Sequence, residues 1–112
     1  MKAAAIQMTS TRDVRANLAE AGRLVAEAAQ RGAELVVLPE NFSFLGATDA
    51  DRVAATETFG DGPAQDFLTT AAKRHGVWIV GGTIPVREGG ATRASSRSLL
   101  VSPAGDVDRK ST

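Results

Sequence analysis

Glu34-Leu35-Val36-Val37-Leu38-Pro39-Glu40-Asn41-Phe42 is the stretch from which the rest of this 112-residue chain is read. Leu35 to Leu38 is an unbroken apolar run rich in β-branched residues, the pattern of a strand covered on both faces, as in a sheet packed under helices. Pro39 ends the strand, because it has no N–H to continue a ladder and holds Leu38 in extended geometry. Glu40 therefore emerges just past the C-terminal end of the strand, where open α/β sheets place their ligands. A partly desolvated carboxylate at that lip can take a proton near neutral pH and so act as a general base. The competing reading is a Glu that caps the following turn or sits in solvent, the ordinary fate of glutamate.

Before this strand, Lys2 to Met8 reads as a first strand of weak propensity, given its three alanines. Thr11 or Asp13 can cap a helix, and Val14, Leu18, Ala21, Val25 and Ala28 recur at three- and four-residue steps over Val14 to Gln30, ending at Gly32. Strand, helix and strand make a βαβ unit, so the two strands are expected to be parallel. After Glu40, Asn41 to Asp51 reads as an irregular loop in which Phe42 and Phe44 either line a pocket or plug the core. Asp61-Gly62-Pro63 opens a second helix that Gly76 closes. His75 falls in its last turn, where a partial positive charge is favourable, and one histidine alone builds no metal site.

Val77 to Val80 reads as a third buried strand, and Gly81-Gly82 lets the backbone approach something closely, a side chain or a ligand. Arg87 to Ser98 reads as a polar loop, and Ser98 to Ser102 as a fourth strand. The turn Pro103-Ala104-Gly105-Asp106 then starts a short return strand that leaves the sheet with an open edge.

Composition narrows the function. Thirteen basic residues balance thirteen acidic ones, and no segment carries a long run of one sign. That leaves no electrostatic footprint for nucleic acid or an anionic membrane surface, and a small neutral partner is the natural expectation. Cysteine is absent, which removes disulfides, thiolate metal sites and a thiol nucleophile from these residues. The apolar run Ala3 to Ile6 is too short for a signal-peptide core, so a soluble, cytoplasmic chain is expected. The length suits one domain.

The residues also carry a resemblance. Ala5-Ile6-Gln7-Met8, Asn17-Leu18, Leu35-Val36-Val37-Leu38-Pro39-Glu40, Gly60-Asp61-Gly62-Pro63, Gly81-Gly82-Thr83-Ile84-Pro85 and Ser98-Leu99-Leu100-Val101-Ser102-Pro103-Ala104-Gly105 occur in this order. Together they resemble the N-terminal part of the nitrilase, or carbon-nitrogen hydrolase, superfamily. The resemblance implies an α/β fold over residues 1–112, a partial αββα sandwich of the nitrilase type that becomes a four-layer α-β-β-α arrangement when dimeric, with the C-terminal part of the sheet missing. It also implies hydrolysis of an amide or nitrile with release of ammonia, through a cysteine nucleophile, a glutamate base and a lysine that stabilises the tetrahedral intermediate. No cofactor and no metal are implied.

Carried over residue by residue, the resemblance makes Glu40 the general base. Lys110 is the lysine available for the oxyanion, although it lies closer to Gly105 than the family's lysine does to its turn glycine, and the chain has no tyrosine to complete the family's Tyr-x-Lys context. Arg97 stands where relatives usually carry asparagine. The family's cysteine would fall beyond residue 112. The chain is therefore expected to be the N-terminal portion of such a hydrolase and inactive in isolation, the alternative being a non-catalytic remnant or association module with the same partial fold. A flavodoxin-like phosphate-binding module fits the βαβ pattern but lacks a glycine-rich loop after the first strand.

Overall fold

The structure, a computed structural model, describes residues 1–46, 48–87 and 95–111, with the side chains of 49 and 109–111 outside the described set. Its elements in chain order are β1 (Ala3–Ala5), α1 (Val14–Gln30), β2 (Leu35–Leu38), α2 (Asp49–Ala55), β3 (Glu57–Thr58), α3 (Pro63–His75), β4 (Trp78–Arg87), β5 (Ser95–Val101) and β6 (Val107–Ser111). They form one sheet in the order β1-β2-β4-β5-β6, with β3 added to the far part of β4. β1, β2 and β4 are parallel, as the βαβ reading requires, and β4, β5 and β6 are antiparallel.

The helices start and stop for local reasons. Asp13 caps α1 by accepting a hydrogen bond from the Ala16 N–H at 3.1 Å, and Gly32 beyond its end takes a left-handed φ of 89° that a side chain would disfavour. Asn17, Ala21, Val25 and Ala28 are its buried positions, so a polar residue joins the apolar stripe. Pro63 opens α3 at a position whose N–H has no helical partner, and Gly76 closes it in the left-handed region. His75 sits in the last turn beside Lys73 and Arg74.

α1 and α3 pack on each other and on one face of the sheet. Val36, Leu38, Ile79, Leu99 and Val101 are buried beneath them, together with Leu68 and Phe42. The alternate residues Leu35, Val37, Trp78, Val80 and Leu100 are only half-buried. This corrects the expectation that β2 is covered on both faces. An unbroken apolar run does not distinguish a strand between two layers from one whose second face is open. One sheet under one helical layer is half of an αββα sandwich.

Three further readings are corrected. The segment read as an irregular loop from Asn41 to Asp51 ends in a helix, α2, whose cap is Thr48 accepting from the Asp51 N–H at 3.1 Å. β4 does not stop at Val80 but runs on through the glycines to Arg87, burying Ile84 and Val86. β5 begins at Ser95, so Ser95 to Ser98, expected in the polar loop, are strand, and residues 88–94 of that expected loop lie outside the described set. No helix among the described residues is long and apolar enough to cross a membrane.

Candidate active site

The residues after β2 turn out of the sheet in a tight elbow, Pro39-Glu40-Asn41. Asn41 carries it through the left-handed region with φ 55°, a conformation that asparagine tolerates better than most residues. Its N–H donates to both the carbonyl and the hydroxyl oxygen of Thr83, at 3.1 Å and 3.0 Å. The elbow is thus held by β4, the neighbouring strand, by two acceptors of one residue.

Thr83 is free to do this because β4 carries a bulge. Gly81 pairs with Leu99 and Ile84 with Arg97, so three steps on β4 match two on β5. The extra residue lifts Gly82 and Thr83 out of the regular ladder and turns them toward the elbow. Gly82 is glycine for a steric reason: a Cβ there would lie 1.8 Å from the Pro39 carbonyl oxygen and 2.7 Å from that of Leu38. Gly81 has a different neighbour, since its Cβ would meet the Leu68 side chain of α3 at 2.5 Å. The glycine pair read from the sequence therefore serves two close approaches, a backbone on one residue and a helix side chain on the other.

From the other side the segment after the elbow is fixed by Asn17. Its side-chain amide donates to the Ser43 carbonyl at 2.9 Å and to the Thr11 carbonyl at 2.7 Å, while its Oδ1 accepts from the Thr11 N–H at 3.0 Å. Asn17 is 3% exposed, so each lost bond would leave a buried polar atom unsatisfied. Phe42 is fully buried and its ring centroid lies 6.2 Å from that of Phe67 on α3. The core reading thus holds for Phe42, whereas Phe44 also lines a cavity of about 210 Å³ with Asn41, Thr48, Arg52 and Pro85.

Glu40 itself is exposed, and no hydrogen bond or ion pair among the described residues reaches its carboxylate. The expectation of a partly desolvated carboxylate is not met among the described residues, which leave Glu40 exposed. Its backbone is rigidly placed and its side chain is uncommitted. Lys110 lies on β6, where its backbone pairs with Leu99; Leu99 pairs with Gly81, and Gly81 with Leu38. Lys110 and the last residue of β2 therefore share one row of the sheet three strands apart, while the Lys110 side chain lies outside the described residues. Arg97 sits on β5 opposite Ile84. Among the described residues no group of three or more His, Cys, Asp or Glu is placed to hold a metal ion.

One carboxylate that the sequence reading missed is Glu57. It is 9% exposed and accepts from the N–H groups of Ala64 and Gln65 at 2.7 Å and 3.2 Å, and from the Gln65 side-chain amide at 3.0 Å. It closes the first turn of α3, where Gly62 has no side chain to offer as a cap. A Cβ on Gly62 would lie 2.3 Å from the Glu57 carboxylate. The signal available in the sequence was a helix start, Asp61-Gly62-Pro63, without a close capping partner.

Comparison with known proteins places this geometry. The profile of the family described as Carbon-nitrogen hydrolase matches residues 2–111. The deaminated glutathione amidase of Synechocystis sp. is 39% identical over 104 residues, 92% of this chain and 38% of that protein. The chloroplastic omega-amidase of Arabidopsis thaliana is 36% identical over 86 residues, 74% of this chain and 23% of that protein. Among solved structures, Saccharomyces cerevisiae Nit3, a member of branch 10 of the nitrilase superfamily, superposes with a TM-score of 0.80 at 27% identity, covering 91% of this chain and 39% of Nit3. The chain spans well under half the length of these relatives. The matched profile runs through the elbow, the bulged strand and the return hairpin alike, and by it this chain belongs to the carbon-nitrogen hydrolase family.

Proposed function

We propose that Glu40 is the general base of a site that hydrolyses the carbon–nitrogen bond of a small amide. The observation that carries this reading is the contrast between the elbow's fixed backbone and its uncommitted carboxylate. Two bonds to Thr83 and the close fit over Gly82 set where Glu40 sits, yet nothing described consumes its oxygens. A side chain held ready without a structural partner is what proton transfer needs.

In the reading taken from the family, Glu40 accepts the proton of a thiol supplied from outside these 112 residues, which contain no cysteine. The thiolate attacks the amide carbon, and charge develops on its oxygen. The C–N bond breaks, ammonia leaves with the returned proton, and water deprotonated by the same glutamate cleaves the thioester. For the oxyanion this chain offers Lys110, on the row of the sheet that leads back to Leu38. Amides are favoured over nitriles as substrates because the two curated relatives above are both named amidases.

The test is a chimera in which residues 1–111 replace the matching part of the Synechocystis amidase. It should release ammonia from small amides, while residues 1–112 alone release none. Glu40→Gln in the chimera should lower turnover by about 10²- to 10⁴-fold, the usual contribution of a positioned base. A folded chimera whose turnover survives that substitution would show that the base lies elsewhere.

A second reading, association without chemistry, has one observation in its favour. Leu35, Val37, Trp78, Val80 and Leu100 form a half-buried apolar face on the side of the sheet away from α1 and α3. Such a face is suited to a second layer.

A further inference from the structure

We propose that the groove between α1 and α3 is a binding site for an amphipathic carboxylate, an acid with an apolar tail, and that Arg74 receives the acid group. The inference stands apart from the reading of Glu40. It starts from a cavity of about 470 Å³ between the two helices, on their side turned away from the sheet. Ala21 and Val25 of α1, with Leu68 and Ala72 of α3, are buried in the core. Their chain neighbours Gly22, Ala26, Phe67 and Ala71 line the groove instead.

The groove is apolar in the middle and oppositely charged at its two ends. Gly22 and Ala26 lie one turn apart on α1 and carry no side chain longer than a methyl group, which leaves the space open. The Phe67 ring reaches across from α3, so that a Cβ on Gly22 would lie 3.4 Å from its Cε1. Asp66 and Arg74 both border the groove, eight positions apart on α3 and so about 12 Å along its axis. His75 stands beside Arg74 at the same end. Among the described residues neither Asp66 nor Arg74 takes part in an ion pair.

The helix dipole favours an acid in the first turn and a base in the last, which accounts for the presence of Asp66 and Arg74 at those places. It does not require that both border one apolar trough, and that arrangement gives the trough a direction. An anionic head is attracted at the Arg74 end, where a guanidinium and an imidazole offer N–H donors, and is repelled at the Asp66 end. The tail then lies along Gly22, Ala26 and Phe67, where removal of its methylene groups from water supplies most of the affinity. The volume is that of a small-molecule site. A helical segment of a partner protein of the same length, about 10 Å across, would fill about twice that space.

The experiment uses the chain of residues 1–112 and two probes of equal length, octanoate and the neutral octanamide. Binding is read by NMR from the backbone amides of Gly22, Thr70 and Ala71. Octanoate is expected to shift them saturably and to bind about 5-fold more tightly than octanamide, the effect of a charge pair that keeps contact with water. Arg74→Gln, at an exposed position, should weaken octanoate by about 5-fold and leave octanamide unchanged. Asp66→Asn should not weaken octanoate. Ala26→Leu keeps a good helix former and fills the trough, so it should weaken both probes by at least about 10-fold with the urea midpoint held. The assignment is overturned by any of four results: no saturable shift, equal affinity for the two probes, loss of both probes alike in Arg74→Gln, or binding that survives Ala26→Leu. Shifts of the same amides with protein concentration alone would also overturn it, marking the face as an interface between copies of this chain.

Discussion

Glu40 and Glu57 sit at two junctions where a short strand gives way to the next element, and their surroundings differ in nearly every respect. Glu57 is buried, accepts three hydrogen bonds and faces a glycine that leaves room for it. Glu40 is exposed, without a described partner, on a backbone that is itself fixed from two sides. In one case the carboxylate builds the structure; in the other the structure builds a place for the carboxylate. The difference teaches how to separate the two roles when both residues are glutamates near a Gly-Pro or Pro-containing turn. What matters is whether backbone N–H groups use up the oxygens, since a carboxylate that already caps a helix start is committed to the fold.

The largest effect should come from filling the space under the elbow. Gly82→Ala places a methyl group 1.8 Å from the Pro39 carbonyl oxygen, and the obstacle is backbone rather than a flexible side chain. The elbow or the bulge must move, at a cost of about 3 kcal/mol. Urea unfolding followed by circular dichroism measures the loss, and the backbone amide shifts of Glu40 and Asn41 should change with it. If stability falls by this amount while those shifts hold, the strain has been relieved on the β5 side and Gly82 does not set the elbow.

Next comes the direct exchange of the two glutamates for their amides. Glu57→Gln sets an NH₂ group against the N–H donors of α3 and removes the negative charge from a helix N-terminus, which should cost about 2 kcal/mol. Glu40→Gln should change stability by less than about 0.5 kcal/mol, as expected for an exposed side chain without partners. Equal losses in the two variants, measured as urea midpoints, would erase the distinction drawn between them.

Much of this arrangement was legible in the sequence, and the reasons are specific. Pro39 announced the end of β2 and so the position of Glu40, because the ring's effects on its own N–H and on Leu38 are local. Gly32 and Gly76 marked helix ends for the same kind of reason. Gly81 and Gly82 were read as points of close approach, but the partners, Leu68 and the Pro39 carbonyl, come from α3 and β2 and could not be told from a ligand. The same glycines were read as the end of a strand that in fact continues, since a bulge preserves the strand at the cost of one unpaired residue. α2 was missed although Thr48 and Asp51 stand at cap and third-residue spacing, because Asn41 to Ala47 gives no periodic pattern to lead into it. Glu57 was missed because its acceptor role depends on the chain folding back across Phe59 to Gly62 to bring Ala64 and Gln65 within reach. The open face of β2 was hidden by the uniformity of Leu35 to Leu38, where burial alternates but residue type does not.

The smallest effect tests how finely the elbow is held. Thr83→Val keeps the shape of the side chain and the backbone carbonyl but removes the hydroxyl oxygen, so the Asn41 N–H retains one of its two acceptors. Loss of one acceptor from a shared bond in a half-buried place should cost about 1 kcal/mol. The elbow would stay folded while its clamp loosens. Urea unfolding should show a loss of about 1 kcal/mol, the smallest among the variants that remove an interaction, and amide hydrogen exchange at Asn41 should speed up by about 5-fold, the rate equivalent of that energy. In the chimera the same substitution should lower turnover and leave the apparent substrate affinity nearly unchanged, because Thr83 acts only on where the base sits. Faster exchange at Asn41 with unaltered turnover would mean that the Glu40 carboxylate tolerates a mobile backbone. The fixed elbow would then be a feature of the fold like the Glu57 cap, and the contrast between the two junctions would narrow to exposure alone.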